Sequence, residues 1–173
     1  MLSRKMNEAI VEQVNAELYS GYLYLSMAAW FAGKGLNGCE NWMKIQAQEE
    51  LSHAMKFFDH IYERGGEVEL KTIEKPPIEW SSPLNVFEET VKHEAHVTSL
   101  INSLMTLAVE EQDYASQNFL QWFIAEQVEE ETSAEEIRSK FEMAGDSKPT
   151  LLMLDKELGS RVFTYPSQGE GEE

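Results

Sequence analysis

Residues 43–57 read Met-Lys-Ile-Gln-Ala-Gln-Glu-Glu-Leu-Ser-His-Ala-Met-Lys-Phe, a stretch that mixes apolar and ionisable side chains at helical spacing. The positions that recur three and four residues apart share one face of a helix: Met43, Gln46, Glu50, His53 and Phe57. Such spacing is typical of a helix that packs inside a bundle. A carboxylate and an imidazole, Glu50 and His53, thus occupy an inner face where apolar side chains normally lie.

Three further stretches repeat this spacing, and each places one glutamate among the apolar residues of its inner face. These three inner faces are Ile10, Val14, Glu17, Gly21, Tyr24, Ala28 and Phe31; Phe87, Val91, Glu94, Val97 and Ile101; and Leu120, Phe123, Gln127, Glu130, Ala134, Ile137 and Phe141. Burying an ionised carboxylate without compensation is costly, and clustering such groups adds mutual repulsion. No lysine or arginine occupies the four inner faces, so protons or metal ions must supply the positive charge.

Glycine and proline residues divide the chain into helix-sized segments, with no pattern typical of strands. We predict four long helices at 4–33, 38–64, 83–112 and 114–144 and a short fifth helix at 149–160. Residues suited to helix starts support this division: a capping box of Asn37 and Glu40, Ser82 before Pro83, Asp113, and Ser147. One domain is expected at 1–165, followed by a disordered acidic tail at 166–173.

The connections between the predicted helices differ in length. Short turns after the first and third helices make each of them an antiparallel neighbour of the helix that follows. About 18 residues, at 65–82, instead join the second helix to the third, as a bundle with one crossover connection requires. The predicted fold class is therefore all-α, a four-helix bundle with a long crossover between helices 2 and 3 and a short fifth helix.

Charge balance and cysteine content exclude several classes of function. The 31 acidic and 14 basic side chains give a formal net charge of −17, which would repel a nucleic-acid backbone and attract cations. Cys39 is the single cysteine, which excludes an intramolecular disulfide, a Cys-based zinc site and a Cys-held iron–sulfur cluster. No apolar run suits a signal peptide or a membrane span, so we expect a soluble protein of the reducing cytoplasm.

Glutamates from four helices, together with a Glu-x-x-His spacing, favour a site for two divalent iron ions. Residues three apart on a helix face the same way, so Glu50 and His53 can share one ion. The two predicted ligand sets have Glu50 as their bridge: Glu17, Glu50 and His53 for one iron, and Glu50, Glu94 and Glu130 for the other. Tyr24 and Gln127 are expected to orient these ligands or bound water.

Three strings resemble the ligand segments of prokaryotic non-haem ferritins: Asn15-Ala16-Glu17-Leu18-Tyr19-Ser20, Gln48-Glu49-Glu50-Leu51-Ser52-His53-Ala54, and Trp122-Phe123-Ile124-Ala125-Glu126-Gln127-Val128-Glu129-Glu130-Glu131. The resemblance covers the chain from Leu2 to about Phe163. Matched by position, the family's ferroxidase ligands fall on the glutamates and histidine assigned above, and its site tyrosine and glutamine fall on Tyr24 and Gln127. The resemblance implies a ferritin-like bundle that oxidises Fe(II) with dioxygen or hydrogen peroxide. It also implies storage of a ferric oxide mineral inside a homo-oligomeric shell of about 24 subunits.

The same resemblance implies a third iron position beside the pair, with Glu49, Glu126 and Glu129 as ligands and Glu130 shared. Haem is not expected, for two reasons. Haem-binding bacterioferritins have a methionine immediately after the second-helix glutamate, where this chain has Leu51. They also repeat Glu-x-x-His in the fourth helix, where this chain has Gln127-Val128-Glu129-Glu130. The expected cofactor content is two irons per subunit at the ferroxidase site and a third iron nearby.

Three other protein classes share parts of this pattern. A rubrerythrin-like peroxide reductase needs two Cys-x-x-Cys pairs, which a chain with Cys39 alone cannot provide. A DNA-protecting mini-ferritin holds its iron between subunits on the first two helices, which leaves Glu94 and Glu130 unexplained. A structural bundle that tolerates polar inner-face residues stays open as an alternative. Packing or surface roles are expected for the remaining histidines: His60, His93 and His96.

Overall fold

The computed structural model describes residues 1–164, which form five helices and no strand. In chain order the helices are α1 (Arg4–Lys34), α2 (Asn37–Glu63), α3 (Pro83–Glu110), α4 (Tyr114–Ala144) and α5 (Lys148–Leu158). The all-α prediction is confirmed, and every predicted helix boundary lies within two residues of the observed one. None of these five helices has the length and apolar character needed to cross a lipid bilayer. The predicted tail at 166–173 lies outside the described residues.

The long helices form two pairs, α1 with α2 and α3 with α4, and the crossover connects the pairs along the side of α1. Near the start of α1, Asn7 Nδ2 donates to the carbonyl oxygen of Glu67 at 2.9 Å. Near its end, Ser26 Oγ donates to the carbonyl oxygen of Pro77 at 2.5 Å. The crossover therefore runs the length of α1 and returns the chain to the end of the bundle where α2 begins. As a result, α3 runs parallel to α2.

Apolar side chains form two clusters at opposite ends of the bundle. One cluster includes Phe31, Phe87 and Phe141, and the ring centroids of Phe87 and Phe141 are stacked 4.9 Å apart. The other includes Phe57 and Phe123, stacked at 4.0 Å. Polar side chains lie buried between the two clusters. This layering lets apolar burial at both ends stabilise helices whose middle is polar.

The predicted inner faces are buried at every position except one. Val91 is only half-buried, and its neighbour Thr90 is fully buried instead. Thr90 can occupy the interior because its Oγ1 donates to the carbonyl oxygen of Val86, one turn earlier, at 3.1 Å. The face of α3 that meets the core is therefore rotated slightly from the one that hydrophobicity predicts.

Side chains accept from backbone N–H groups at the starts of four helices. Ser3, Ser82, Asp113 and Ser147 are the N-cap residues of α1, α3, α4 and α5. Three of these starts confirm sequence predictions. The predicted capping box of Asn37 and Glu40 is wrong, because Leu36 occupies the N-cap position of α2 and has no side-chain capping bond.

A carboxylate from the last helix caps α2 instead. Asp155 Oδ1 accepts from the backbone N–H groups of Gly38 and Cys39, both at 2.9 Å. A negative charge at a helix N-terminus is also favoured by the helix dipole. The start of α2 is thus stabilised by a contact with α5 and not by its own sequence.

Gly38 is required for this contact because the two backbones approach very closely. A Cβ atom at position 38 would lie 1.5 Å from the carbonyl oxygen of Asp155 and 2.9 Å from the backbone nitrogen of Gly159. Neither atom belongs to a flexible side chain, so any larger residue must displace α5. The close approach therefore fixes α5 against the first turn of α2.

Replacing Gly38 with alanine should displace α5 and lower the free energy of unfolding by about 1 to 3 kcal/mol. Urea denaturation of the metal-free protein, followed by circular dichroism, measures the effect. Gly33→Ala is the matched control, because a Cβ at Gly33 meets no atom of residues 1–164 within 4 Å. That control should leave stability unchanged or raise it, since alanine favours helices. Equal stabilities for the two variants would contradict close docking of α5.

Candidate metal centre

The five predicted iron ligands lie in the polar layer between the two apolar clusters. One glutamate comes from each long helix, and α2 adds a histidine. Their exposed fractions range from 1% for Glu17 and Glu94 to 7% for Glu130. Groups buried this deeply cannot rely on water to satisfy their charge. The distances among these side chains therefore determine whether hydrogen bonds, protons or a metal ion can balance the buried charge.

Glu17, Glu50 and His53 form the tightest part of this layer. Each offers one ligand atom, and these atoms all lie within 4.8 Å of one another. His53 Nδ1 is 3.6 Å from Glu50 Oε2. Within residues 1–164, Glu17 Oε2, Glu50 Oε2 and His53 Nε2 are buried without a hydrogen-bond partner. Unpartnered carboxylate oxygens that converge with an imidazole form a donor set suited to a divalent metal ion.

Glu94 and Glu130 lie outside this three-residue cluster and accept hydrogen bonds from protein donors. The Tyr24 hydroxyl donates to Glu94 Oε1, and Gln127 Nε2 donates to Glu94 Oε2 at 3.3 Å. Gln46 Nε2 donates to Glu130 Oε2 at 2.9 Å. Each accepting oxygen keeps a second lone pair. Tyr24 and Gln127 therefore both contact Glu94, and their role in orienting it stays a prediction.

Burial raises the pKa of Glu17 well above the usual range, and the charge of Glu50 raises it further. Burial and then repulsion from Glu94 raise the pKa of Glu50, although a hydrogen bond from Glu17 opposes the shift. Burial, with repulsion from Glu130, raises the pKa of Glu94 to about 7. The pKa of the Tyr24 hydroxyl is raised by burial and by the nearby Glu94, so this group stays protonated as a donor. The site therefore holds protons when it holds no metal. Binding a divalent cation would release them.

The residues expected at a third iron position surround the tight cluster without joining it. Glu49 and Glu126 are half-buried, and Glu129 is exposed. Burial raises the pKa of Glu49 to about 7, although Arg161 opposes the shift. Burial and the charges of Glu130 and Glu129 raise the pKa of Glu126, while His53 opposes it. These groups interact electrostatically, and Glu49 is also bonded to a basic side chain.

Three residues that contact the predicted ligands were not assigned a role from the sequence. Buried Gln13 donates through Nε2 to Glu17 Oε1 at 2.8 Å. Its position four residues before Glu17 could have indicated this bond, because such residues are neighbours on a helix. Gln46 was placed on an inner face but without a function. Arg161, which donates to Glu49, follows the fifth helix, where no sequence pattern indicates contact with the bundle centre.

The histidines expected to serve packing or the surface are away from the cluster. His60 is stacked on Phe119 with ring centroids 3.9 Å apart, and burial lowers its pKa to about 4. His93 Nε2 lies 2.8 Å from Ser20 Oγ, and burial lowers its pKa to about 4 as well. His96 is exposed. Burial therefore favours the neutral imidazole at His60 and at His93.

The family model described as a ferritin-like domain matches residues 7–144. The chain belongs to the ferritin family. A bacterial non-heme ferritin from Bacteroides fragilis is 44% identical over 161 residues, covering 93% of this chain and 100% of the relative. The bacterial non-heme ferritin of Escherichia coli O157:H7 is 41% identical over 160 residues, covering 92% and 97%. The resemblance to prokaryotic non-haem ferritins is thereby confirmed.

Solved ferritin structures have the same fold. An open pore ferritin from the hyperthermophilic archaeon Archaeoglobus fulgidus is 54% identical and superposes with a TM-score of 0.93, covering 94% of this chain and 100% of that chain. A closed form of the Archaeoglobus fulgidus ferritin, engineered by site-directed mutagenesis, gives a TM-score of 0.94. The predicted ferritin-like bundle with a short fifth helix is therefore confirmed.

Removing two buried carboxyls should flatten the pH dependence of stability. In the metal-free protein, raised pKa values keep Glu17 and Glu94 protonated where the unfolded chain has already lost those protons. The free energy of unfolding should therefore fall as pH rises from the ordinary glutamate pKa through about 7, by about 1 to 3 kcal/mol. The double substitution Glu17→Gln with Glu94→Gln removes both titrations. At about pH 8 this variant should be at least as stable as wild type.

Urea denaturation of metal-free protein at several pH values tests this expectation. Glu136→Gln changes an exposed carboxyl on α4 and serves as the control that retains the wild-type pH dependence. A double variant clearly less stable than wild type at about pH 8 would contradict the prediction. It would indicate that the two glutamates stabilise the fold through hydrogen bonds, such as the bond between Gln13 and Glu17.

Proposed function

We propose that the protein stores iron and oxidises Fe(II) at the buried centre of its bundle. The observation that supports this function is the convergence of Glu17, Glu50 and His53, with two carboxylate oxygens left without hydrogen-bond partners among residues 1–164. A purely structural core would have to keep these buried carboxyls protonated, as the raised pKa values of Glu17 and Glu50 indicate. The relatives and solved neighbours named above are ferritins, which agrees with the proposal.

The proposed substrate is Fe(II), and two sets of side chains from the bundle centre bind two ferrous ions. Glu17, Glu50 and His53 hold one ion, and Glu50, Glu94 and Glu130 hold the other. Two ferrous ions become ferric and supply two electrons, which with two protons reduce dioxygen to hydrogen peroxide or hydrogen peroxide to two water molecules. Ligation by many carboxylates and one imidazole is weak enough to release the ferric product, which a storage protein needs. Tyr24 and Gln127 keep Glu94 in one orientation through this cycle.

We infer a homo-oligomeric shell of about 24 subunits in the cytoplasm, with the mineral inside it. Apolar side chains at the surface of α1 and α2 support association, because Tyr22, Leu25 and Leu51 border one groove and are each about half exposed. Glu49, Glu126, Glu129 and Glu130 form the proposed third iron position, and the proposed cofactor content includes no haem.

Replacing His53 or Glu50 with alanine should abolish the fast phase of Fe(II) oxidation. His53 is the single imidazole of the proposed site and Glu50 is its bridge, so the initial rate should fall by at least about 100-fold. The measurement is the absorbance of ferric product after anaerobically loaded protein meets oxygen. In wild type the fast phase should saturate at about two irons per subunit.

His96→Ala is the control for this pair, since it removes an exposed histidine from α3 and should leave the initial rate unchanged. Gel filtration of every variant checks that the oligomer still assembles. Wild-type initial rates in both ligand variants would contradict the assignment. Absence of iron from freshly purified wild type, together with no fast phase, would favour a structural bundle.

Replacing Glu49, Glu126 and Glu129 together with glutamine should retain the fast phase but change the number of irons oxidised per oxygen consumed. The reason is that the proposed third iron can supply a further electron only when its carboxylates are present. Simultaneous recording of oxygen uptake and ferric absorbance gives the ratio. A ratio equal to that of wild type would contradict a third iron position at these residues.

A further inference from the structure

The guanidinium of Arg161 lies beside the proposed third iron position. Its Nη2 donates to Glu49 Oε2 at 2.7 Å, and its Nη1 donates to Gln46 Oε1. The guanidinium carbon lies 4.9 Å from the centroid of the Trp42 ring. An arginine stacked on an aromatic ring and bonded through both terminal nitrogens has little rotamer freedom left. A permanent positive charge is therefore held at one of the proposed iron ligands.

Arg161 also determines which way the Gln46 amide points. A guanidinium can only donate hydrogen bonds, so the amide group facing it must be the oxygen. The Gln46 NH2 group consequently faces Glu130, and Nε2 donates to Glu130 Oε2 at 2.9 Å. Gln46 is completely buried, which leaves its amide no water to exchange with. A chain of two hydrogen bonds thus connects Arg161 to a ligand shared by the proposed second and third irons.

The backbone that places Arg161 is anchored independently of the guanidinium. Asn41 Nδ2 donates to the carbonyl oxygen of Arg161 at 3.0 Å. Earlier in the same segment, Asp155 caps the start of α2 through Gly38 and Cys39. Residues 155–161 therefore lie along α2. The Arg161 side chain can leave Glu49 while this backbone stays in position.

We propose that Arg161 is a tethered cation that competes with the third iron for Glu49 and, through Gln46, positions Glu130. This inference rests on the proposed function of Glu49 and Glu130 as iron ligands. A metal ion that coordinates Glu49 through Oε2 weakens or breaks the bond from the guanidinium, because both cations then draw on the same carboxylate oxygen. Arg161 thereby opposes the third ion directly at Glu49, and it reaches the second ion only through the orientation of Glu130. Among the described residues its guanidinium bonds Gln46 and Glu49 and not Glu17, Glu50 or His53, so the ion proposed at those three residues is unaffected.

Calorimetric titration of the assembled, full-length protein with Zn(II) tests this competition without any redox reaction. In Arg161→Gln the third Zn(II) should bind about tenfold more tightly than in wild type, because the charge-assisted bond to Glu49 no longer has to break. The tightest Zn(II) should bind equally in both proteins. Arg161→Lys retains the charge but loses the planar guanidinium that bonds Glu49 and Gln46 together. Its third Zn(II) should therefore bind with an intermediate affinity.

Arg138→Gln is the matched control, because it removes one positive charge per subunit from a surface ion pair with Glu135 and Glu142. It should leave all Zn(II) affinities unchanged. A third Zn(II) that binds Arg161→Gln no more tightly than wild type overturns the competition, as does the absence of a third Zn(II) from both proteins. Loss of the tightest Zn(II) from Arg161→Gln alone also overturns it. Failure of wild type to bind any tight Zn(II) would instead overturn the proposed ferroxidase centre.

Discussion

Four glutamates, one from each long helix, lie in the middle of the bundle between two clusters of apolar side chains. Their desolvation and mutual repulsion oppose folding, so the apolar ends must hold the helices together against the polar centre. Gln13, Gln46, Tyr24 and Gln127 satisfy some of the carboxylate oxygens. Within residues 1–164, the Glu17 and Glu50 oxygens left without hydrogen-bond partners lie beside His53. A divalent cation would complete this centre.

Much of this arrangement could be predicted because it follows from local spacing. Helix periodicity depends on neighbouring residues, so the inner faces and the four glutamates on them were readable from the sequence. The error at Val91 shows the limit of that reasoning. Whether Thr90 or Val91 faces the core depends on how α3 is rotated about its axis relative to the neighbouring helices. Thr90 can be buried because its hydroxyl donates a hydrogen bond to a carbonyl oxygen of its own helix. Hydrophobicity alone therefore favoured the wrong one of the two.

Contacts between distant parts of the chain could not be predicted in this way. The cap of α2 comes from Asp155, which is 116 residues beyond Cys39. Asn37 and Glu40 have the residue types of a capping box, but the docked α5 supplies a carboxylate in their place. Arg161 likewise reaches Glu49 across 112 residues. Such contacts require the tertiary positions of α2 and α5, which depend on the close backbone approach at Gly38.

If Glu49 binds iron as proposed, the ring of Trp42 beneath the Arg161 guanidinium affects how the third iron position empties. A guanidinium that left Glu49 would still rest against an aromatic surface and would not have to return from bulk solvent. When a metal ion departs, a positive charge is already within reach of the vacated carboxylate. The carboxylate would therefore be neutralised as quickly as a side chain can rotate, on a far shorter timescale than the rearrangement of a helix. Repeated filling and emptying would then require no change in the backbone.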